Sequence, residues 1–331
     1  MGTSTPTDHG LRPDVPGSTG PAAVDRAAGG LRVLGVGSGG MRAPDLEGPR
    51  RTAFSIAYRM LGSVAEAEDV AQEAALRLSR HDAPVENPDA WVTTVATRLA
   101  IDVLRSARVR RETYVGPWLP EPLLVDPGPG PASRAELADT LSQALLVALE
   151  RLTPVERAAF LLREVFDYDY ARIAEIVDRS EPHARQLVSR AKRHVAAGRP
   201  RFDPDDEARQ RLLERFSAAV EGGDLDGLEE LLASEVVLWG DGGGVVRAAL
   251  IPVHGSAAVA RFLVHTRRAR ARRGRFAVEP VRINGQPGLL VRAADGTVFA
   301  AMSLDVVDGR IVAIRTVRNP AKLAHLAVAA G

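Results

Sequence analysis

From Pro182 to Arg193 the chain reads PHARQLVSRAKR. At about 100° per residue, a helix here places Ala184, Leu187, Val188, Ala191 and Val195 on one face. The opposite face carries Pro182, Gln186, Ser189, Arg190 and Arg193, with His183 and Arg185 flanking it. Guanidinium and amide donors in such a row can reach base edges in a major groove, while Lys192 and Arg199 can hold phosphates. A second row, Thr94, Thr97, Arg98, Ile101, Arg105 and Arg108, lies opposite the apolar Trp91, Val92, Val95, Leu99 and Val103. Hydroxyls and guanidiniums along one helix suit a phosphate backbone with unstacked bases nearby. A third row has the opposite character: Asp69, Gln72 and Leu76, with Glu73 beside them. Phosphates would repel it, so it suits a protein partner. For each row the plain alternative is a solvated helix face.

Proton-transfer chemistry has weaker support. The ionisable candidates in the C-terminal third are Asp241, His254, His265 and Asp305. Asp241 opens a glycine turn and His254 precedes Gly255, both ordinary boundary positions, and spacing brings no two candidates together. No catalytic role, cofactor or metal site is expected. A small ligand about Trp239 and Phe262 is more plausible than turnover, and the run Arg267 to Arg275 reads as a solvated helix end. The chain has 331 residues, no cysteine and a formal charge of +1, so disulfides and thiolate chemistry are excluded and any basic surface is local. No apolar run approaches the roughly 20 residues that span a bilayer. A cytoplasmic protein without a membrane partner is expected.

These rows need elements to hold them. Residues 1–49 are rich in Gly, Pro, Ser and Thr without sustained period and read as a disordered tail; "GVGSGG" within it lacks a surrounding βαβ unit. Helical periodicity starts at Thr52 and stops at Gly62, and Ser63 with Glu66 makes a capping-box pattern for the next helix. Asn87 and Pro88 start a long helix to about Arg108. A Pro-rich linker covers 113–132, ending in the flexible "VDPGPGPAS". A second helical block covers 133–200. Its final pair, Tyr170 to Val177 and Glu181 to Val195 around "DRS", has helix–turn–helix spacing. Over 204–331 two helices give way to β-branched runs, including "EVVLW", "VVRAALIPV", "FAVEPVRI" and "RIVAIRTV". Asn284-Gly285, Asp295-Gly296 and Asp308-Gly309 punctuate them as hairpin turns. That part reads as an α+β domain with a curved antiparallel sheet.

The phrases "AYRMLGS", "AEDVAQE" and "AWVTTVATRLAIDVLRS", followed by the helix–turn–helix, resemble regions 2 and 4 of sigma-70 family factors of the extracytoplasmic-function type. The resemblance implies two all-α domains, region 2 over 50–112 and region 4 over 133–200. It implies that Asp69, Gln72, Glu73 and Leu76 face the clamp coiled coil of core RNA polymerase, in its beta-prime subunit. It implies that Thr94, Thr97, Arg98, Ile101, Arg105 and Arg108 meet the −10 element of promoter DNA. The −35 element would fall to His183, Arg185, Gln186, Ser189, Arg190 and Arg193. The remainder resembles a SnoaL-like, NTF2-like cone, as in the subgroup of these factors that carries its own regulatory domain. That subgroup's "DGGGK" and "NPDKL" motifs correspond to Asp241-Gly242-Gly243-Gly244-Val245 and Asn319-Pro320-Ala321-Lys322-Leu323. Val245 and Ala321 replace a lysine and an aspartate, so contacts depending on those charges are in doubt.

One stretch stays odd on any reading. "YVGPWLPEPLL", Tyr114 to Leu124, is too apolar for a linker and is stiffened by Pro117, Pro120 and Pro122. Prolines narrow the unfolded ensemble and favour an extended chain able to present Trp118 and Leu119 to a groove. The expectation is that Tyr114 to Leu124 docks, through Trp118, Leu119 and Pro120, near Asp241, Gly242, Gly243 and Gly244, with Asn319 and Pro320 belonging to the same regulatory contact. The alternative is that they finish the first helical core. For the whole chain, two other readings stay open: a helix–turn–helix regulator with a ligand-sensing domain, and a SnoaL-type enzyme fused to a DNA-binding part.

Overall fold

The computed structural model describes residues 46–125, 140–198 and 206–327. The tail before residue 46, Arg199 and the spacer 126–139 lie outside the described residues. The first block is α1 (Glu47–Leu61), α2 (Val64–Ser79) and α3 (Pro88–Glu112). α1 begins upstream of Thr52, with Glu47 placed favourably in its first turn. Gly62 ends it in the left-handed region, and its N–H returns to the Tyr58 carbonyl. A side chain there would also press on the Trp118 ring. Ser63 caps α2 by accepting the Glu66 N–H, and Asn87 caps α3 by accepting that of Ala90.

The second block is α4 (Gln143–Leu149), α5 (Pro154–Glu164), α6 (Tyr170–Val177) and α7 (Glu181–Gly198). Asp169 caps α6, and Asp178, at φ 54°, makes the turn into α7. The two blocks do not keep separate cores. One apolar cluster runs from Phe54 and Met60 through Ala96 and Ala100 to Leu161, Ile173 and Val188. Arg157, almost fully buried, reaches from α5 to the Met60 carbonyl at 2.6 Å.

The third block opens with α8 (Asp206–Gly222) and α9 (Leu225–Leu231). β1 (Leu232–Asp241), β2 (Val253–His254), α10 (Ser256–Ala271), β3 (Phe276–Ile283), β4 (Gln286–Ala293), β5 (Val298–Val307) and β6 (Arg310–Val317) follow, then the short α11 (Pro320–Leu323). The strand order is β2-β1-β6-β5-β4-β3. The sheet is antiparallel except where β1 runs parallel to β6, a pair that a purely antiparallel reading misses. β1 and β6 meet only after the chain has passed through α10 and the β3–β5 meander, so nothing forces them to oppose. Asn284-Gly285 and Asp308-Gly309 both take positive φ at both positions, the geometry of a two-residue hairpin turn.

"VVRAALIPV" forms no long strand; only Val253–His254 pair with β1. The Gly242–Gly244 turn instead folds Val246 to Ala249 back across Gly240 and Gly242, where a Cβ would collide with backbone. Val245, Leu250 and Ile251 are left exposed.

Thr153 and Glu156 at the start of α5 form a reciprocal capping box. Glu156 also pairs with Arg190 of α7 at 3.2 Å. Burial alone would raise its carboxyl, but the Thr153 N–H and hydroxyl, with Arg190 and His194, hold it below the ordinary carboxylate value. A depressed folded value gives stability that is present above the unfolded pKa and lost as pH falls through the folded one. Glu156→Gln keeps the capping-box acceptor and removes only the charge, so it is expected to cost about 0.5–1 kcal/mol at neutral pH, the scale of an ion pair with one exposed partner. Urea unfolding of both proteins should show the gap closing as the solution is acidified through the carboxylate range.

Candidate nucleic-acid interface

The expected buried stripe of α7 is buried: Ala184, Leu187, Val188, Ala191 and Val195. The opposite row is open, with His183, Arg185, Gln186, Ser189, Arg190 and Arg193 all exposed. Two of its arginines are pre-oriented. Arg185 pairs with Glu181 at 2.5 Å and lies 4.4 Å over the Tyr170 ring, and Arg190 leans on Glu156. The α2 row is open as well: Asp69, Gln72 and Leu76 are exposed, and Glu73 is half-buried against Arg77 at 2.7 Å.

The α3 row differs from its expectation. Thr97 is fully buried and Ile101 nearly so. Arg98 donates from Nε to the Ile176 carbonyl at 3.0 Å and from Nη2 to the Glu175 carbonyl at 2.9 Å. Those carbonyls belong to the last turn of α6, where unpaired acceptors and the helix dipole favour a cation. Arg172 of α6 returns a hydrogen bond to the Thr94 hydroxyl at 2.9 Å. Periodicity placed this row outside because a single helix in sequence has only one partner face. Here α3 is covered on both sides, by α1 and α2 on one and by α6 on the other. Arg105 stays exposed, paired with Asp102 at 2.9 Å, and the Arg108 side chain lies outside the described residues.

The linker docks on the third block. The carboxylate of Asp241, fully buried at the end of β1, accepts four hydrogen bonds among the described residues. Its Oδ1 takes the Tyr114 hydroxyl and the Gly243 N–H; its Oδ2 takes the Leu119 N–H at 2.9 Å and the Lys322 ammonium at 2.7 Å. Lys322 also donates to the Leu119 carbonyl at 2.6 Å and lies 4.2 Å over the Trp118 ring. Asn319 donates to the Tyr114 hydroxyl at 2.9 Å. Burial, then the Asp241 carboxylate, raise the Tyr114 phenol, which stays protonated. Gly243 is at φ 61°, and a side chain there would collide with Asn319 and Tyr114. Val245 and Ala321 are both exposed and take no part, so the two replaced charges lie outside this latch.

The same segment also reaches the helical blocks, so both expectations for it hold in part. Glu121 accepts from Ser63 and from the Val64 N–H, and its carbonyl accepts the Tyr58 hydroxyl at 2.6 Å. Asn284 accepts the Leu123 N–H and donates to Tyr58 at 2.7 Å. Leu124 pairs with Ile283 at the edge of β3. Gln143 of α4 bridges the Pro120 carbonyl and Ser303 of β5. Spacing gave no sign of Tyr58, Gln143 or Asn284, because such partners lie up to 226 residues apart.

Strand alternation gives the sheet two separate faces. Trp239, Asp241, Ser303 and Arg315 lie on the face toward the helices, and Arg315 pairs there with Asp305 at 2.5 Å. The other face, under α10, encloses a cavity. Phe262 lines it as expected; Trp239 does not, being one residue out of register with Leu238 and Gly240, which do. Asp241 and Asp305 are thus committed to the helical face, His265 sits at the cavity, and His254 is exposed on β2. Among the described residues no cluster of side chains could hold a metal ion, and no described helix is long and apolar enough to cross a membrane.

Three protein families match successive parts of the chain. Residues 49–110 match sigma-70 region 2, 142–195 match sigma-70 region 4, and 213–319 match the SnoaL-like domain. The chain is 38% identical over 291 residues to the ECF RNA polymerase sigma factor SigJ of Mycobacterium tuberculosis, covering 85% of this chain and 93% of that one. The crystal structure of that factor aligns with a TM-score of 0.67 at 34% identity, over 85% of this chain and 98% of that one. The probable ECF sigma factor SigI of the same organism is 36% identical over 188 residues, 55% of this chain and 64% of that one.

Removing one partner of a buried ion pair strands the other and costs about 3–5 kcal/mol. Asp241→Asn and Lys322→Met should each lose stability on that scale, with the double variant recovering part of it. Urea unfolding followed by tryptophan emission reads this directly, since Trp118 lies on Lys322. Single losses no larger than those of surface substitutions would remove the ion pair as the centre of the latch.

Proposed function

Because the chain belongs to the extracytoplasmic-function RNA polymerase sigma factors and carries a SnoaL-like third domain, we propose that it brings core RNA polymerase to selected promoters and that its own third domain restrains it. Region 2 over 50–112, the linker over 113–132, region 4 over 133–200 and the regulatory domain over 204–331 are the working parts. The α2 row Asp69, Gln72, Glu73 and Leu76 is the polymerase contact, and its exposure in the closed chain supports that use. The α7 row reads the −35 element through Arg185, Gln186, Ser189, Arg190 and Arg193, with His183 at its margin.

The observation that carries the restraint is the covering of α3 by α6. Thr94, Thr97, Arg98 and Ile101 are the −10 contacts in this reading: Thr94 and the exposed Arg98 are hydrogen-bonded to region 4, and Thr97 and Ile101 are buried. The two regions must part before a separated strand can reach them. The latch holds the linker, and the linker holds α1, α2 and α4, so the third domain stabilises the closed state without touching the −10 row. Such a closure needs only a few kcal/mol to dominate, and polymerase binding to the open form can reverse it. The third domain acts as a regulatory module; the separation of Asp241 and Asp305 from the cavity supports that over catalysis.

Asp102 and Asp178 are exposed and line the same crevice between α3 and the α6–α7 turn. Since the chain has no cysteine, Asp102→Cys with Asp178→Cys gives a unique pair for a short bis-maleimide. Transcription in vitro with core polymerase and no other sigma factor should give promoter-specific product. It should fall by about fivefold or more after cross-linking but not in the single-cysteine controls. Full activity of the linked protein would end the closed-state reading alone. No promoter-specific product from any form would end the sigma reading and favour a stand-alone helix–turn–helix regulator.

A further inference from the structure

The cavity under α10 has a volume of about 340 Å3. Its floor is apolar: Leu238, Phe262, Leu263, Val291, Ala300 and Met302. Its rim is cationic, and among the described residues no Asp or Glu lines it. Two rim arginines, Arg267 and Arg270, already face Glu221. Arg273 and Arg318 have no carboxylate partner among the described residues.

Arg318 is the more telling of the two. One guanidinium nitrogen, Nη1, donates to the Arg247 carbonyl, and the group lies 4.3 Å over the Phe299 ring, so its orientation is fixed. Its Nε is buried and meets no acceptor, and the Thr316 hydroxyl is buried without a partner as well. Both residues line the cavity. Buried donors without partners are rare in folded proteins and call for an acceptor. Burial, then the charge of Arg273, pull the Arg318 guanidinium below its ordinary value, as expected of a pocket short of negative charge.

We propose that this cavity binds an amphiphilic carboxylate, with the acyl chain on the apolar floor and the head on Arg318 Nε and the Thr316 hydroxyl. A carboxylate is the acceptor that matches the free edge of a fixed guanidinium. Neither the cationic rim nor the orphaned donors would favour a neutral apolar ligand. The site is also connected to the latch: the Arg318 and Asn319 N–H groups both donate to the Asp241 carbonyl, at 2.7 and 3.0 Å, and the Asn319 side chain holds Tyr114. A ligand head on Arg318 therefore acts one residue from the linker contact. This coupling rests on the restraint proposed above; binding itself does not.

Isothermal titration of the full chain with decanoate and with 1-decanol tests the site. One equivalent of decanoate should bind saturably, with decanol weaker by about tenfold or more, because a head site left unpaired rejects the analogue that cannot fill it. Thr316→Val and Arg318→Gln should each weaken decanoate and leave decanol unchanged. Equal affinity for the two ligands, saturable binding of neither, or undiminished decanoate binding by a folded Arg318→Gln protein would each overturn the site. Decanoate binding without any change in transcript yield, in a protein whose cross-linked form is inactive, would overturn the coupling and leave the site standing.

Discussion

The closed molecule depends on one buried charge pair. Asp241 and Lys322 lie at opposite ends of the third domain's sheet sequence, and their meeting completes that domain and traps a foreign segment within it. An ion pair removed from water survives only when its remaining valences are satisfied. Here the linker supplies them: the Leu119 N–H and carbonyl and the Tyr114 hydroxyl all bond to the pair, and the Trp118 ring covers the ammonium. The pair therefore loses those partners and must exchange them for water whenever the linker departs. This makes the contact conditional without making it weak.

A single sheet serves two purposes because successive side chains alternate. The face toward the helices is polar where it must be specific, with Asp241, Asp305, Arg315 and Ser303, and apolar where Leu119 and Val147 rest on it. The face toward α10 keeps a cavity. β1 and β6 belong to both, so a disturbance at Thr316 or Arg318 and one at Val317 or Asn319 travel along the same strand end. Separation of chemistry with continuity of backbone gives this architecture its regulatory potential.

Much of the fold was legible because it rests on local signals. The Gly62 stop, the Ser63 and Asn87 caps, the stripe of α7 and the Asn-Gly and Asp-Gly turns all act within a few residues. The α7 and α2 rows were legible for the same reason: each is the uncovered side of a helix with one buried stripe. The α3 row was half legible, since periodicity cannot say that a second block covers the outer side. Trp239 was misassigned to the cavity by a parity of one residue, which no propensity reveals. The Gly242–Gly244 motif marked the latch, but its cation, its phenol and the Asn284 junction depend on side chains that meet only after three blocks have assembled.

The grip of Arg98 on α6 has a consequence for how ionic strength acts on this factor. Its acceptors are two neutral backbone carbonyls, whereas in the open form proposed above the same guanidinium would face phosphates. Dissolved ions compete strongly for a polyanion and only feebly for a carbonyl at a helix end. A rising electrolyte concentration therefore penalises one engagement of this arginine and spares the other. The chain's own hold on itself tightens relative to its hold on nucleic acid, with no change in any contact within the protein.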